Sequence, residues 1–219
     1  ANKQYQYSPK QTLHIMQSLY ETHKALTYPR TDSRYLTEDI VPTLQERLRA
    51  VGVGEFAPLV REILHSRRPI AKACVNNAKV SDHHAIIPTE EPPRLLSMNQ
   101  DEKRIYLMVV KRFLMCFFPS YQYRKITAEL ACGGHHFSAS GREVVQEGWR
   151  KVSNLREEEE DEEQVLPSLQ KGETFHCQNT QLKERKTTPP ARYTEATLLS
   201  AMENPAPFIQ DKAMKGYIG

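Results

Sequence analysis

The chain has 219 residues, enough for one or two domains with cores of their own, and its 39% hydrophobic and 26% charged residues are the balance of a soluble protein. No apolar run approaches the roughly 20 residues needed to cross a bilayer, and the start Ala1-Asn2-Lys3-Gln4 has no apolar signal region, so a membrane span is excluded and the cytoplasm is expected. The run from Glu157 through Asp161 to Glu163 brings seven negative charges to a net charge of +3, leaving +10 on the rest, which suits a polyanionic partner.

The acidic run itself reads as a solvated loop. Cys74, Cys116, Cys132 and Cys177 lie far apart with no Cys-x-x-Cys pair, so they suggest neither a zinc ribbon nor a disulfide framework and read as reduced thiols.

Ser8-Pro9-Lys10-Gln11 has the form of a helix start, with Ser8 as N-cap, Pro9 in the first helical position and Gln11 as a capping-box partner. Leu13, Met16, Leu19 and Tyr20 continue it as one apolar stripe to about Lys24, leading directly into Tyr28. Thr37-Glu38-Asp39 predicts a second helix, with Ile40, Val41, Leu44 and Leu48 as its stripe and Gly52 as its stop. A third is expected from Glu55 to about Ser66, and a long one from Ser97 or Asn99 to Phe118, apolar around much of its circumference and ended by Pro119. The period then changes. Arg124 to Cys132, His135 to Ser140, Glu143 to Ser153 and Glu173 to Leu182 alternate between glycines and the acidic run, which predicts antiparallel sheet with Trp149 as a core anchor. After Pro189-Pro190 a last helix is expected through Glu195, Leu198, Leu199 and Met202.

The chemistry concentrates in Thr27-Tyr28-Pro29-Arg30-Thr31-Asp32-Ser33-Arg34-Tyr35-Leu36. Pro29 fixes its own φ and pushes Tyr28 into extended geometry, so the stretch is strand-like or loop-like. Alternation along an extended chain puts Tyr28 and Arg30 on the same side. A phenol with a pKa of about 10 attacks phosphorus at neutral pH only with help from positive charge or a base. Arg30 could supply that charge and steady the transition state, with a guanidinium fork that matches phosphate oxygens. A Tyr-Pro pair followed by polar residues is, on local physics alone, usually just a surface turn. In Ser81-Asp82-His83-His84-Ala85-Ile86-Ile87-Pro88-Thr89 the two histidines point different ways, and either could donate to a phosphate oxygen. Alone, such a pair is more often a surface or satisfied structural group, and a metal site would need further ligands at helical spacing that the sequence lacks.

Taken together, the Tyr28 string, the His83 string and a third, Thr187-Thr188-Pro189-Pro190-Ala191-Arg192-Tyr193-Thr194-Glu195-Ala196, resemble in order the motifs of type IA DNA topoisomerases of the topoisomerase III subgroup. The resemblance covers essentially the whole chain. It implies an α+β architecture: a helical gate domain carrying the active-site tyrosine (1–118), part of an antiparallel β-rich arch domain (119–185) and the start of a helical DNA-binding base domain (186–219). It implies an ATP-independent isomerase that cleaves and rejoins one DNA strand through a 5′-phosphotyrosine, for relaxation or decatenation. Tyr28, Arg30 and His83 are then catalytic, and Thr31, Asp32, Ser33, His84, Arg192 and Thr194 contact DNA, mainly single-stranded.

Magnesium is implied for the intact enzyme, with its ligands in a Toprim domain that has no counterpart in this sequence. The acidic run at Glu157 cannot replace those ligands, because no hydrophobic strand or fixed spacing holds its carboxylates around one ion. No metal is therefore expected on this chain, which reads as an excised piece, inactive in relaxation without the Toprim and remaining base domains, and nucleoid-associated in its parent. The alternatives are a non-catalytic nucleic-acid-binding module, or another phosphotyrosine strand-transferase or nuclease. Recombinases need dispersed arginines and a late tyrosine, and initiator nucleases need a His-x-His; neither arrangement is present.

Overall fold

Helix α2 (Pro9–Glu21) begins as its sequence dictates: the Ser8 hydroxyl accepts from the Gln11 N–H at 3.1 Å and Pro9 occupies the first turn. Its end is set by Lys24, a non-glycine residue in the left-handed region (φ 53°), after which the Ala25 N–H returns to the Leu19 carbonyl at 2.9 Å. The computed structural model describes residues 1–153 and 166–209, so the acidic run lies outside the described residues. The fold is α+β, and the chain divides into two units, one of Ile15–Phe175 and one of Ala1–His14 with His176–Gly219.

The larger unit is built on three helices. The expected second helix starts later than its acidic turn suggests: Glu38–Thr43 is a 3₁₀ helix containing Pro42, and α3 (Leu44–Val51) follows it. Proline offers no N–H to an α-helical ladder, so the regular helix begins only beyond it. After Gly52 a 3₁₀ turn (Gly54–Phe56) opens α4 (Ala57–His65), which packs on α3. Helix α5 (Gln100–Met115) carries a complete capping box, Asn99 Oδ1 accepting from the Glu102 N–H and Glu102 Oε2 from the Asn99 N–H. Its Ile105, Tyr106, Val110, Phe113 and Leu114 join Leu48, Val51, Leu59, Val60 and Ile63 in the core. Each large apolar side chain buried there contributes about 1.5–3 kcal/mol.

The sheet is smaller than predicted. β1 (Gln122–Cys132) and β2 (His135–Gln146) form one antiparallel hairpin across Gly133-Gly134, in a register that sets Leu130 opposite Phe137 and Ile126 opposite Gly141. The two runs on either side of Gly141 are one strand, because a glycine opposite Ile126 leaves room for it without ending the ladder. Arg150–Ser153 is a short helix, α6, resting on α5, and Glu173–Leu182 forms no strand. Trp149 is not a core residue: 39% of it is exposed, edge-on to Tyr121, while Val152 takes the buried position three residues on.

Gly148 closes the hairpin onto the helical body. It sits at φ 50°, and a Cβ there would run into the carbonyl oxygens of Pro119 and Ser120. Gly148→Ala is therefore expected to destabilise the chain by about 2 kcal/mol or more, read as a lower urea midpoint, since main-chain atoms cannot step aside as a flexible side chain would.

In the smaller unit, α1 (Asn2–Tyr5) is a single turn that the sequence reading did not predict, ended by Gln6 at φ 57°. Helix α7 (Glu195–Glu203) is capped by Thr194, whose hydroxyl accepts from the Thr197 N–H at 3.2 Å.

Candidate active site

Two irregular segments are laced together beside the end of α2. Leu26 pairs with Pro88 in an antiparallel bridge: the Thr27 N–H donates to the Ile87 carbonyl at 3.0 Å and the Thr89 N–H to the Ala25 carbonyl at 3.1 Å. The Thr27 hydroxyl accepts from the Ile87 N–H at 3.0 Å. Farther along, the Thr31 hydroxyl donates to the His83 carbonyl at 2.7 Å, and the Ser33 hydroxyl to the Lys79 carbonyl at 2.9 Å. The Ala85 N–H closes onto the Tyr35 carbonyl at 2.8 Å, and Leu36 bridges Val75 in parallel sense. Short hydroxyl side chains placed every few residues thus do the work of a sheet ladder for chains too irregular to form one.

This lacing brings the Tyr28 ring against that of His83, with centroids 4.4 Å apart and planes 44° from parallel. The Tyr20 ring of α2 meets Tyr28 edge-on at 5.5 Å, so a rigid helix braces the phenol from the other direction. Tyr28 is half-buried, Pro29 buried and His83 exposed. No group among the described residues hydrogen-bonds the Tyr28 hydroxyl.

The other predicted residues are dispersed around that pair. Arg30 is exposed and makes no ion pair or ring contact among the described residues. Asp32 is also exposed. Thr31 and Ser33 commit their hydroxyls to main chain, as donors to His83 and Lys79 and as acceptors from the N–H groups of Ser33 and Tyr35. His84 is half-buried, with Nδ1 2.7 Å from its neighbour's carbonyl at Ala85, which makes Nδ1 the protonated nitrogen. Arg192 and Thr194 belong to the smaller unit, Arg192 in exposed irregular chain and Thr194 at the start of α7.

Three features of the site escaped the sequence reading. One is Tyr20, whose place in the apolar stripe of α2 disguised it as core. Lys79 is another: its ammonium lies 5.0 Å over the Tyr35 ring and 3.3 Å from its hydroxyl. Arg47 is the third, a buried guanidinium from α3 whose Nη1 donates to the Pro88 carbonyl at 2.8 Å, whose Nε donates to the Thr43 hydroxyl at 2.8 Å, and whose Nη2 pairs with Glu90 at 2.6 Å. Burial draws its pKa down, and the Glu90 carboxylate pulls it back.

The base of α2 is secured by charge as well. Glu102, buried at the start of α5, accepts from the Ser18 hydroxyl at 2.6 Å and faces His23 Nε2 at 3.2 Å. Burial pushes its carboxyl up, but the Ser18 hydroxyl, the Asn99 N–H and the His23 ring outweigh it and hold the carboxyl below its ordinary value. Stability from such a group is complete above the unfolded carboxylate range, about pH 4–5, and is lost as pH falls through the lower folded value. Urea midpoints measured across that window are expected to fall more steeply for the parent chain than for Glu102→Gln.

Tyr28 is thus braced by a helix and set against a histidine, on an α+β frame that includes a two-stranded hairpin. The family model for DNA topoisomerase matches residues 1–206, and the chain belongs to that family. Within it the similarity is to DNA topoisomerase 3: 47% identity over 214 residues to the protein of Bacillus thuringiensis (strain Al Hakam) and 46% over 214 residues to that of Bacillus subtilis (strain 168). These matches cover 95% and 96% of this chain, which spans 29% of the length of either relative. In fold it matches full-length topoisomerase I from Thermotoga maritima, with a TM-score of 0.64 at 24% identity, over 93% of this chain and 32% of that one. The resemblance to topoisomerase III read from the three motifs is therefore correct. No described helix is long and apolar enough to cross a membrane.

Proposed function

We propose that this chain carries the strand-cleaving centre of a type IA DNA topoisomerase, with Tyr28 as the nucleophile. The observation that supports this best is the ring contact between Tyr28 and His83, made by two motifs that the topoisomerase resemblance brings to one site. The Tyr28 oxygen attacks a backbone phosphorus in single-stranded DNA. A 5′-phosphotyrosine bond forms as the bond to the 3′-oxygen breaks, and the 3′-oxygen leaves as a hydroxyl. Exposed His83 donates to a non-bridging phosphate oxygen, and Arg30 swings in from solvent to neutralise the charge that builds in the transition state. Rejoining is the same step reversed, so the phosphotyrosine conserves the bond energy and no nucleotide is consumed.

Thr31 and Ser33 shape the segment through their main-chain bonds, Asp32 and His84 flank the strand, and Arg192 and Thr194 meet it from the base. In this reading residues 1–118 are the gate, 119–185 part of the arch and 186–219 the start of the base, within a nucleoid-associated parent. Magnesium is the cofactor the resemblance implies, but among the described residues no three His, Cys, Asp or Glu side chains converge to hold an ion. The steps above are those of Tyr28, Arg30 and His83 alone.

The test is a chimera in which this chain replaces the matching segment of Bacillus subtilis DNA topoisomerase 3. Incubated with labelled single-stranded DNA and magnesium and then denatured, it is expected to retain label, with peptide mass mapping placing the nucleotide 5′-phosphate on Tyr28. DNA binding with no covalent label would replace this reading with a binding module.

A further inference from the structure

Cys74 and Cys116 are distant in sequence and adjacent in space. The Ala71 N–H donates to the Cys116 carbonyl at 2.8 Å, and the 3₁₀ turn Lys72–Cys74, closed by the Cys74 N–H on the Ala71 carbonyl at 2.8 Å, folds Cys74 back over the end of α5. There the Cys74 and Cys116 side chains come close enough to interact, and the Cys116 thiol donates to the Arg112 carbonyl at 3.4 Å. Both residues are half-buried. The other two cysteines, Cys132 at the hairpin tip and Cys177 in irregular chain, are exposed.

We propose that Cys74 and Cys116 are a modification site: a dithiol that closes into a reversible intramolecular disulfide when a small-molecule disulfide such as oxidised glutathione is present. The Cys74 thiolate attacks one sulfur of the reagent and expels one glutathione thiolate, leaving a mixed disulfide. Cys116 gives its proton to solvent and attacks the Cys74 sulfur, expelling the second glutathione. Two electrons pass from the protein pair to the reagent, and two glutathione thiols are released. Burial and the neighbouring Cys74 push the Cys116 thiol up to about 12, so Cys116 stays protonated and acts second.

The site has a structural address. The Cys74 carbonyl accepts from the Leu36 N–H at 2.8 Å, at the far end of the Tyr28 segment. The closed disulfide would therefore join to the end of α5 the turn that holds that segment by hydrogen bonds, whatever reaction Tyr28 performs.

The experiment treats the folded chain, in a Cys132→Ser, Cys177→Ser background, with oxidised glutathione and maps its peptides by mass without reduction. The expected product has lost two hydrogens, yields a linked Cys74–Cys116 peptide and reverts with dithiothreitol. Cys116→Ser should instead accumulate glutathione on Cys74. Glutathione on both thiols with no linked peptide, or a link that appears only in urea, would overturn the proposal. Should the Cys116→Ser chain fail to fold, the peptide map of the parent pair still decides.

Discussion

Tyr28→Phe is expected to abolish covalent capture of single-stranded DNA, a loss of at least about 10³-fold that leaves the gel without adduct, while the chain remains as stable as its parent. The two halves of that expectation have separate causes. Phenylalanine keeps the ring that meets Tyr20 edge-on and lies against His83, so the packing that braces the position survives. It removes only the oxygen, and because no described group holds that oxygen, its loss leaves no polar partner stranded. The proposed reaction depends entirely on the atom removed, since neither Arg30 nor His83 can form the tyrosyl ester in its place. Adduct gels in the chimera, paired with urea unfolding of the isolated chain, read both quantities. Adduct formation by the phenylalanine variant would dismiss Tyr28 as the nucleophile.

Arg47→Ala is expected to be the costliest single change to stability, about 3–5 kcal/mol in urea unfolding. Arg47 is only 6% exposed, yet it serves three partners: the Thr43 hydroxyl, the Pro88 carbonyl and Glu90. Truncation leaves buried Pro88 without its side-chain donor and opens a cavity the size of a guanidinium, while half-exposed Glu90 can turn back to water. Arg47→Lys should recover only part of the loss, because a single ammonium cannot span three partners set in a fork. The damage should also reach the site. Pro88 is the bridge partner of Leu26, two residues before Tyr28, so adduct formation is expected to slow with the Ala variant even where the chain remains folded.

Local signals were read well and long-range ones poorly. The capping residues Ser8 and Asn99 and the stripe of α5 are complete within a few positions, so the helices they start were predictable. The 3₁₀ turn at Glu38 was misread because acidic residues open α and 3₁₀ turns alike, and only Pro42 distinguished them. Glu173–Leu182 alternates as a strand does, but alternation makes a strand only where the backbone pairs with a partner, and the sheet among the described residues consists of β1 and β2 alone. Trp149 was assigned to the core on hydrophobicity, which says nothing of the turn at Gly148 that directs it outward. The meeting of Tyr28 with His83 is of another kind. It rests on hydroxyl-to-carbonyl links such as Thr31 to His83, 52 positions apart, and no periodicity announces such a link. Family motifs named both residues, yet Arg47, which stands outside every motif, could be found only from the coordinates.

Two backbone bridges frame the Tyr28 stretch, Leu26–Pro88 before the tyrosine and Leu36–Val75 after it, and between them the Thr31 and Ser33 hydroxyls hold it to the His83 and Lys79 carbonyls. The bridges are seated in the core through buried Leu26, Leu36 and Pro88, while Arg30, Asp32 and Arg34 between them are exposed. The stretch between the bridges is therefore expected to open by itself while Val110, Leu114 and the rest of the helical core stay packed. In the language of amide exchange, the protons of Ser33 and Tyr35, each bonded to a side-chain hydroxyl, are expected to trade with solvent through small local openings, more often than the centre of α5, which waits for the whole unit to unfold. The reach of the tyrosine is thereby separated from the durability of its scaffold: in the proposed reaction the segment would yield to a strand of DNA while the body that carries it keeps its shape.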